Sequence, residues 1–353
     1  MLDAIGDTTF VVIVGLLGGI LLGLAARLGR FCTLGAIEDY FYGGTDIRLR
    51  MWGLAIGLSV IGSFAAIGLG FVDIQSSFYL SLSWSPITSI IGGLLFGYGM
   101  AMAGNCGFGA LARLGGGDLR SFVIVVVLGI TTYATLSGPF ASLRIAIFGA
   151  PSPATEANGI AHWIASLLGA SPVLVGIIIG VMICIVTLSS NLFRADRNAI
   201  LTSILVALAV VSAWVGTAWV AANGFSATSV VSHTFAAPVG ETMIYAMTAS
   251  GQTLSFAVGS VAGVWIGAFI GSLIKGHFRW EACEDPRELR RQILGAGFMG
   301  IGAALALGCS IGQGLSAFSL LAFSAPVTLS AIFLGAVIGL KQLVEGFLPI
   351  SDG

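Results

Sequence analysis

Apolar residues run along this chain with few of the polar interruptions that a half-buried helix needs. Predominantly apolar stretches fall near 8–28, 51–72, 86–105, 121–137, 172–192, 199–222, 253–274, 289–308 and 326–341, each bounded by charges, Pro or Gly. About 20 such residues in a helix span the hydrocarbon core of a bilayer. Three shorter runs, near 33–42, 107–117 and 310–321, cannot cross and read as half-helices or re-entrant segments. A weaker helix falls near 239–250. The pattern therefore predicts an all-α fold: a polytopic membrane bundle of about nine spanning helices plus short half-helices.

Composition agrees. Hydrophobic residues make up 57% of the 353 positions and charged residues 9%, against roughly 25% charged in a soluble domain. Too few polar groups exist to cover a surface in water, so the expected surroundings are membrane lipid. A formal net charge of −1 offers no basic footprint for nucleic acid. The start, Met1-Leu2-Asp3-Ala4-Ile5-Gly6-Asp7, lacks the basic region of a cleaved leader and runs directly into a span.

Lys and Arg orient the bundle, because basic loops stay cytoplasmic. They cluster at Arg27, Arg30, Arg48 and Arg50, at Arg113 and Arg120, at Arg194 and Arg197, and most densely from Lys275 to Arg291. The segments 73–85, 150–170 and 223–240 have none. The alternation predicts an inner-membrane protein with its N-terminus outside and its C-terminus, after Lys341, in the cytoplasm. It divides into a first membrane half over 1–145, an extracytoplasmic loop over 146–170 holding Pro151, Pro153, Glu156 and His162, and a second half over 171–353. On this reading His233 and Glu241 lie in a solvated outer loop, and Arg113 and Arg120 are cytoplasmic anchors.

Glycine adds detail. It occupies 51 positions, and Gly259, Gly263, Gly267 and Gly271 recur every fourth residue, as do Gly15, Gly19 and Gly23. This spacing lines one helix face with small residues and lets backbones approach.

Candidate chemistry rests on three of the five cysteines. Cys32, Cys106 and Cys309 each have an apolar residue at plus two and glycine at plus three (Gly35, Gly109, Gly312). Glycine stands fourteen residues before each (Gly18, Gly92, Gly295) and nine before each (Gly23, Gly97, Gly300). Only small residues stand seven and three before. A threefold match of this length indicates internal duplication and pseudo-symmetric repeats, a common construction of transporters. In each copy a long helix ends, the chain breaks at Cys beside glycine, and a short helix begins. Unpaired N–H groups at that new start favour an anion, and the thiol adds a soft, polarizable S–H donor. The combination suits a small sulfur-containing anion. Substrate-path candidates are therefore Cys106, Cys309, Cys32, Gly107, Gly109, Gly312, Gly35, Asn105, Ser310 and Gln313, the last with its amide offered to an oxyanion. Cys184 lacks the glycine and reads as packing; Cys283 sits in a charged linker. No Cys-x-x-Cys pair or Cys/His cluster appears, so neither a metal site nor a cofactor is expected, and no catalytic constellation marks an enzyme.

Gly92-Gly93-Leu94-Leu95-Phe96-Gly97-Tyr98-Gly99 leading to Gly104-Asn105-Cys106-Gly107, and Phe298-Met299-Gly300-Ile301-Gly302 leading to Gly308-Cys309-Ser310, resemble the YeeE/YedE family of bacterial membrane proteins. The resemblance covers most of the chain. It implies thiosulfate passing a line of thiols (Cys106, Cys309 and Cys32) by transient S–H contacts, with a cytoplasmic sulfurtransferase as a possible partner. A membrane thiol redox protein, or a carrier of soft metal or selenium compounds, is the alternative.

Overall fold

The computed structural model describes residues 6–346 apart from 74–76, 151, 154–158, 226–227 and 283–284. Every predicted span holds a helix: α1 (Asp7–Leu28), α3 (Ile47–Gly68), α4 (Pro86–Ala103), α6 (Leu119–Leu136), α9 (Pro172–Thr187), α11 (Arg197–Asn223), α13 (Phe256–Ile274), α14 (Pro286–Leu305) and α15 (Ser324–Glu345). Seven helices are long and apolar enough to cross a bilayer, or eight if a bent pair is one span; α14, with its charged first turns, is not among them. The short runs are also helical: α2 (Thr33–Phe41), α5 (Gly107–Gly115), α12 (Ala237–Thr248), and a turn from Ser310 that continues as a π-helix over Gly312–Ala317. Among its described residues the 146–170 segment holds helix where a loop is expected. It is flanked by α7 (Ala141–Phe148), contains α8 (Ile160–Leu168), and joins α9 at a 117° bend. Pro151, Glu156 and Cys283 lie outside the described residues. A five-residue helix, α10 (Asn191–Ala195), precedes α11.

Four units of long helix, break, short helix and long helix emerge. They are α1–α2–α3, α4–α5–α6, α11–α12–α13, and α14 with the π-helix and α15. Their packing repeats. The first helix of the first unit runs parallel to α13: Gly15 meets Phe256 and Ser260, and Gly23 meets Val264 and Ala268. In the same way α4 runs parallel to α15, where Gly93 meets Thr328 and Ala331, and Gly97 meets Ile332 and Ala336. Its contact with α14 is antiparallel, Gly92 lying against Gly302 and Ala306, and Gly99 against Gly295 and Met299. Antiparallel packing also joins α1 to α11, through Val14 with Gly216 and Gly29 with Thr202. The last two units are thus inverted relative to the first two, and the short elements follow suit: α5 packs on α13, α2 on α15, α12 on α6 and the π-helix on α3.

Glycine makes these approaches possible. A Cβ on Gly263 would lie 2.9 Å from the Gly19 Cα and 3.0 Å from the Ile20 nitrogen, which are backbone atoms that cannot swing aside. The glycine nine residues before each cysteine has one job: Gly23 lies on α13, Gly97 on α15 and Gly300 on Thr131 and Thr132 of α6, each the closing helix of the partner unit.

Candidate functional site

Each cysteine break is built alike. Two residues before the thiol the backbone turns left-handed, at Arg30 (φ 56°), Gly104 (φ 76°) and Leu307 (φ 52°). The chain is thrown off the helix axis, and Cys32 and Cys106 then take extended angles and cap the next helix. Only one of the three is glycine, so the shared geometry outlasts the shared residue. An L-residue there costs roughly 1–3 kcal/mol, carried by the packing on either side.

The thiols differ in exposure. Cys106 and Cys309 are 0% and 1% exposed, whereas Cys32 is half-buried. The Cys106 sulfur accepts the Gly109 N–H at 3.4 Å. It lies beside the Ser310 hydroxyl and within electrostatic reach of both Cys32 and Cys309. The Cys309 sulfur is more enclosed, accepting N–H groups from Phe235 at 3.3 Å and Gly312 at 3.5 Å. Thr234 Oγ1 stands 3.5 Å from it, with the Tyr79 hydroxyl against Thr234.

The glycine at plus three is where a neighbour approaches the turn. A Cβ on Gly312 would sit 2.5 Å from Thr234 Oγ1 and 2.9 Å from the Tyr79 hydroxyl. At Gly35 the guanidinium of Arg48 fills that place. Beside Gly109 only the same turn is near, the Asn105 Cβ at 3.3 Å and the Cys106 sulfur at 3.8 Å. That side opens to a cavity. Gly107, by contrast, packs against Leu128 of α6.

Two cavities approach the cysteines from opposite ends of α4. One, of about 300 Å³, is lined by Cys32, Gly35, Asn105 and Gly109 and by the cations Arg27, Arg30, Arg48, Arg113 and Lys275, with Glu38 the one acid among its described lining residues. Lys275 gives its ammonium to the carbonyls of Arg27 at 3.0 Å and Leu28 at 2.8 Å. Burial, then repulsion from Arg30 and Arg27, lowers its pKa below that of free lysine. The other, of about 200 Å³, is lined by Tyr79, Trp84, Thr88, Arg144, Leu307 and Gln313 among others.

The structure thus brings Cys106, Ser310 and Cys309 together and sets Asn105, Gly109 and Cys32 on the Arg27 cavity. Gln313 is turned otherwise than an oxyanion donor needs: its Nε2 donates to the Ala306 carbonyl at 2.8 Å, and its buried Oε1 has no partner. Cys184 packs against Gly57 of α3. His233 is fully buried rather than in a solvated loop; its Nδ1 pairs with Ser260 Oγ at 2.7 Å and its carbonyl accepts Ser316 Oγ at 2.6 Å. The break holding His233, Thr234 and Phe235 belongs to the third unit. There Ala237-Pro238-Val239-Gly240 keeps only the apolar residue at plus two and the glycine at plus three, with no thiol and without the upstream glycines. Tyr79, Thr234 and Arg144 carry no motif at all. Among the described residues no group of three or more His, Cys, Asp or Glu could hold a metal ion.

The family described as "Sulphur transport" matches residues 28–338, which include all three cysteine breaks and the lining of both cavities apart from Ala26 and Arg27. The chain belongs to this YeeE/YedE sulphur-transport family. Similar proteins include the thiosulfate transporter TsuA of Escherichia coli, 27% identical over 341 residues and 91% of each chain. TsuA of Spirochaeta thermophila is 25% identical over 325 residues, 88% of this chain and 92% of that one. The probable transporter YedE of Salmonella typhimurium is 27% identical over 128 residues, 36% of this chain and 30% of its own. As a family member with seven or eight candidate spans, this is a multi-pass membrane protein.

Proposed function

We propose that the protein carries thiosulfate, or a closely related small sulfur anion, across the bacterial inner membrane past Cys309, Cys106 and Cys32 in turn. The observation that carries this reading is the placement of the thiols: two are sealed between the Arg144 and Arg27 cavities, and the third faces the Arg27 cavity. The two relatives named thiosulfate transporter over about nine-tenths of the chain support the substrate. Thiosulfate has a soft terminal sulfur and three hard oxygens. A thiol meets the former by a weak S–H contact, and backbone N–H groups at the breaks meet the latter. No bond is made or broken, and the protein is not an enzyme on this account. The cation-rich Arg27 cavity faces the cytoplasm, so α1 starts outside, α15 ends inside, and the exposed apolar belt faces lipid. Halves 1–145 and 171–353 supply the two inverted sides of the path, and a cytoplasmic sulfurtransferase is a fitting acceptor at the Arg27 cavity.

The test is uptake of labelled thiosulfate into proteoliposomes. Cys106→Ala and Cys309→Ala are each expected to cut the rate at least about tenfold, with Cys184→Ala unchanged. A tenfold loss corresponds to about 1.4 kcal/mol, the scale of one hydrogen bond to a charged group. Unimpaired uptake by both variants, at equal protein in the membrane, would sink the thiol path.

A further inference from the structure

Of the 15 Lys and Arg residues, all but Arg144 gather at the end of the bundle where α1 and α4 finish. Arg50 binds the end of α9, Arg120 pairs with Glu281 and Glu288, and Lys275 binds the end of α1. Arg144 alone lies at the opposite end, on α7, where the positive-inside rule disfavours a cation. A helix end is one use for it: Nε donates to the Thr135 carbonyl at 3.1 Å and Nη2 to the Leu136 carbonyl at 3.4 Å, closing α6. Those bonds occupy two of five guanidinium donors and fix the group in place. No described carboxylate forms an ion pair with Arg144, and none of the described residues lining its cavity is acidic. The remaining wall offers hydroxyls from Tyr79, Ser85 and Thr88. Tyr79 reaches through to Thr234 and so to Cys309.

We infer that the Arg144 cavity is a binding site for a small oxyanion of the thiosulfate or sulfate type, with Arg144 as its cation and Tyr79 as the hydroxyl through which the anion passes on to Cys309. The inference rests on the transport reading above and adds where the anion is captured. A fixed guanidinium with spare planar donors is suited to a tetrahedral oxyanion. A single positive charge on this side against five at the other also makes the site weak, so that solute leaves it for the thiols.

Two measurements test it on full-length protein. In proteoliposomes, Arg144→Gln is expected to raise the KM for labelled thiosulfate roughly tenfold with Vmax within about twofold, and to flatten the dependence of uptake on ionic strength. Arg144→Lys retains that salt dependence. In detergent, calorimetric titration with sodium thiosulfate and with sodium sulfate is expected to show a binding event in wild type that Arg144→Gln loses, while binding at the Arg27 cavity is kept. An Arg144→Gln variant that transports and binds like wild type overturns the site and leaves the transport reading standing. A fall in Vmax alone, with KM and salt dependence unchanged, assigns Arg144 to closing α6 and overturns it too. A wild type that moves no thiosulfate but shows a binding event that Arg144→Gln removes upholds the site and overturns the transport reading.

Discussion

A glycine three residues after a thiol decides what stands beside that thiol. At Gly312 the missing side chain admits both hydroxyls of Thr234 and Tyr79; at Gly109 it leaves open cavity. Gly312→Ala should therefore act by collision with Thr234, lowering the thermal midpoint in detergent and reducing uptake. Replacing Thr234 by Ala in that background removes the nearest obstacle and leaves the Tyr79 hydroxyl at 2.9 Å. The double variant should melt above Gly312→Ala alone, whereas Thr234→Ala by itself gains nothing. Additive effects of the two changes would show that they do not meet. The left-handed residues belong to the same scale, because Arg30 and Leu307 hold a conformation that their side chains disfavour. Their strain persists because two long helices fix the chain on either side of the break.

Helices in lipid gain nothing from burying apolar surface against one another, so close backbone contact must hold them. The α1–α13 pair shows the consequence. Gly263→Ala places a methyl against the Gly19 Cα and the Ile20 nitrogen and should destabilise by roughly 1–3 kcal/mol, the cost of overpacking. Gly297, inside α14, gives the control: a Cβ there would find only the Thr131 Cγ2 at 4.0 Å. Gly297→Ala should be neutral or slightly stabilising, since alanine in a helix is favoured over glycine by roughly 0.5–1 kcal/mol. Parallel melting curves separate the two, and equal shifts would contradict packing as the role of the every-fourth spacing. All the elements in which this packing occurs were legible as apolar runs, because run length is a local property. The helices α7 and α8 were not, being eight and nine residues long within a segment rich in Pro and Gly.

Across the whole molecule, charge is graded from one cation at the Arg144 cavity to five at the Arg27 cavity. Lys275 reports on that gradient. Its lowered pKa comes from burial and from Arg30 and Arg27, and an anion bound among these cations raises it again. Protonation and anion binding therefore favour each other, and affinity falls as pH rises through the lowered pKa, below the usual lysine value of about 10.4. Titration of detergent-solubilised protein with thiosulfate from about pH 7 to about pH 10 should show this loss, with Lys275→Arg extending binding to higher pH. An affinity flat over that range in both proteins would remove Lys275 from the site.

The membrane class, the span positions, the duplicated cysteine breaks and the clustering of cations are all legible in the chain, since each is a matter of run length and of spacing along the sequence. Which groups surround each thiol depends on how the helices pack. Phe235 lies 74 residues from Cys309 and Thr234 lies 75 from it, and they meet because the last two units are inverted against the first two. The same inversion buried His233 in a stretch that reads as a polar loop, setting its ring on Ser260 of α13 and its carbonyl on Ser316 of the π-helix. Those outcomes follow from how helices pack, and no local spacing in the chain encodes them.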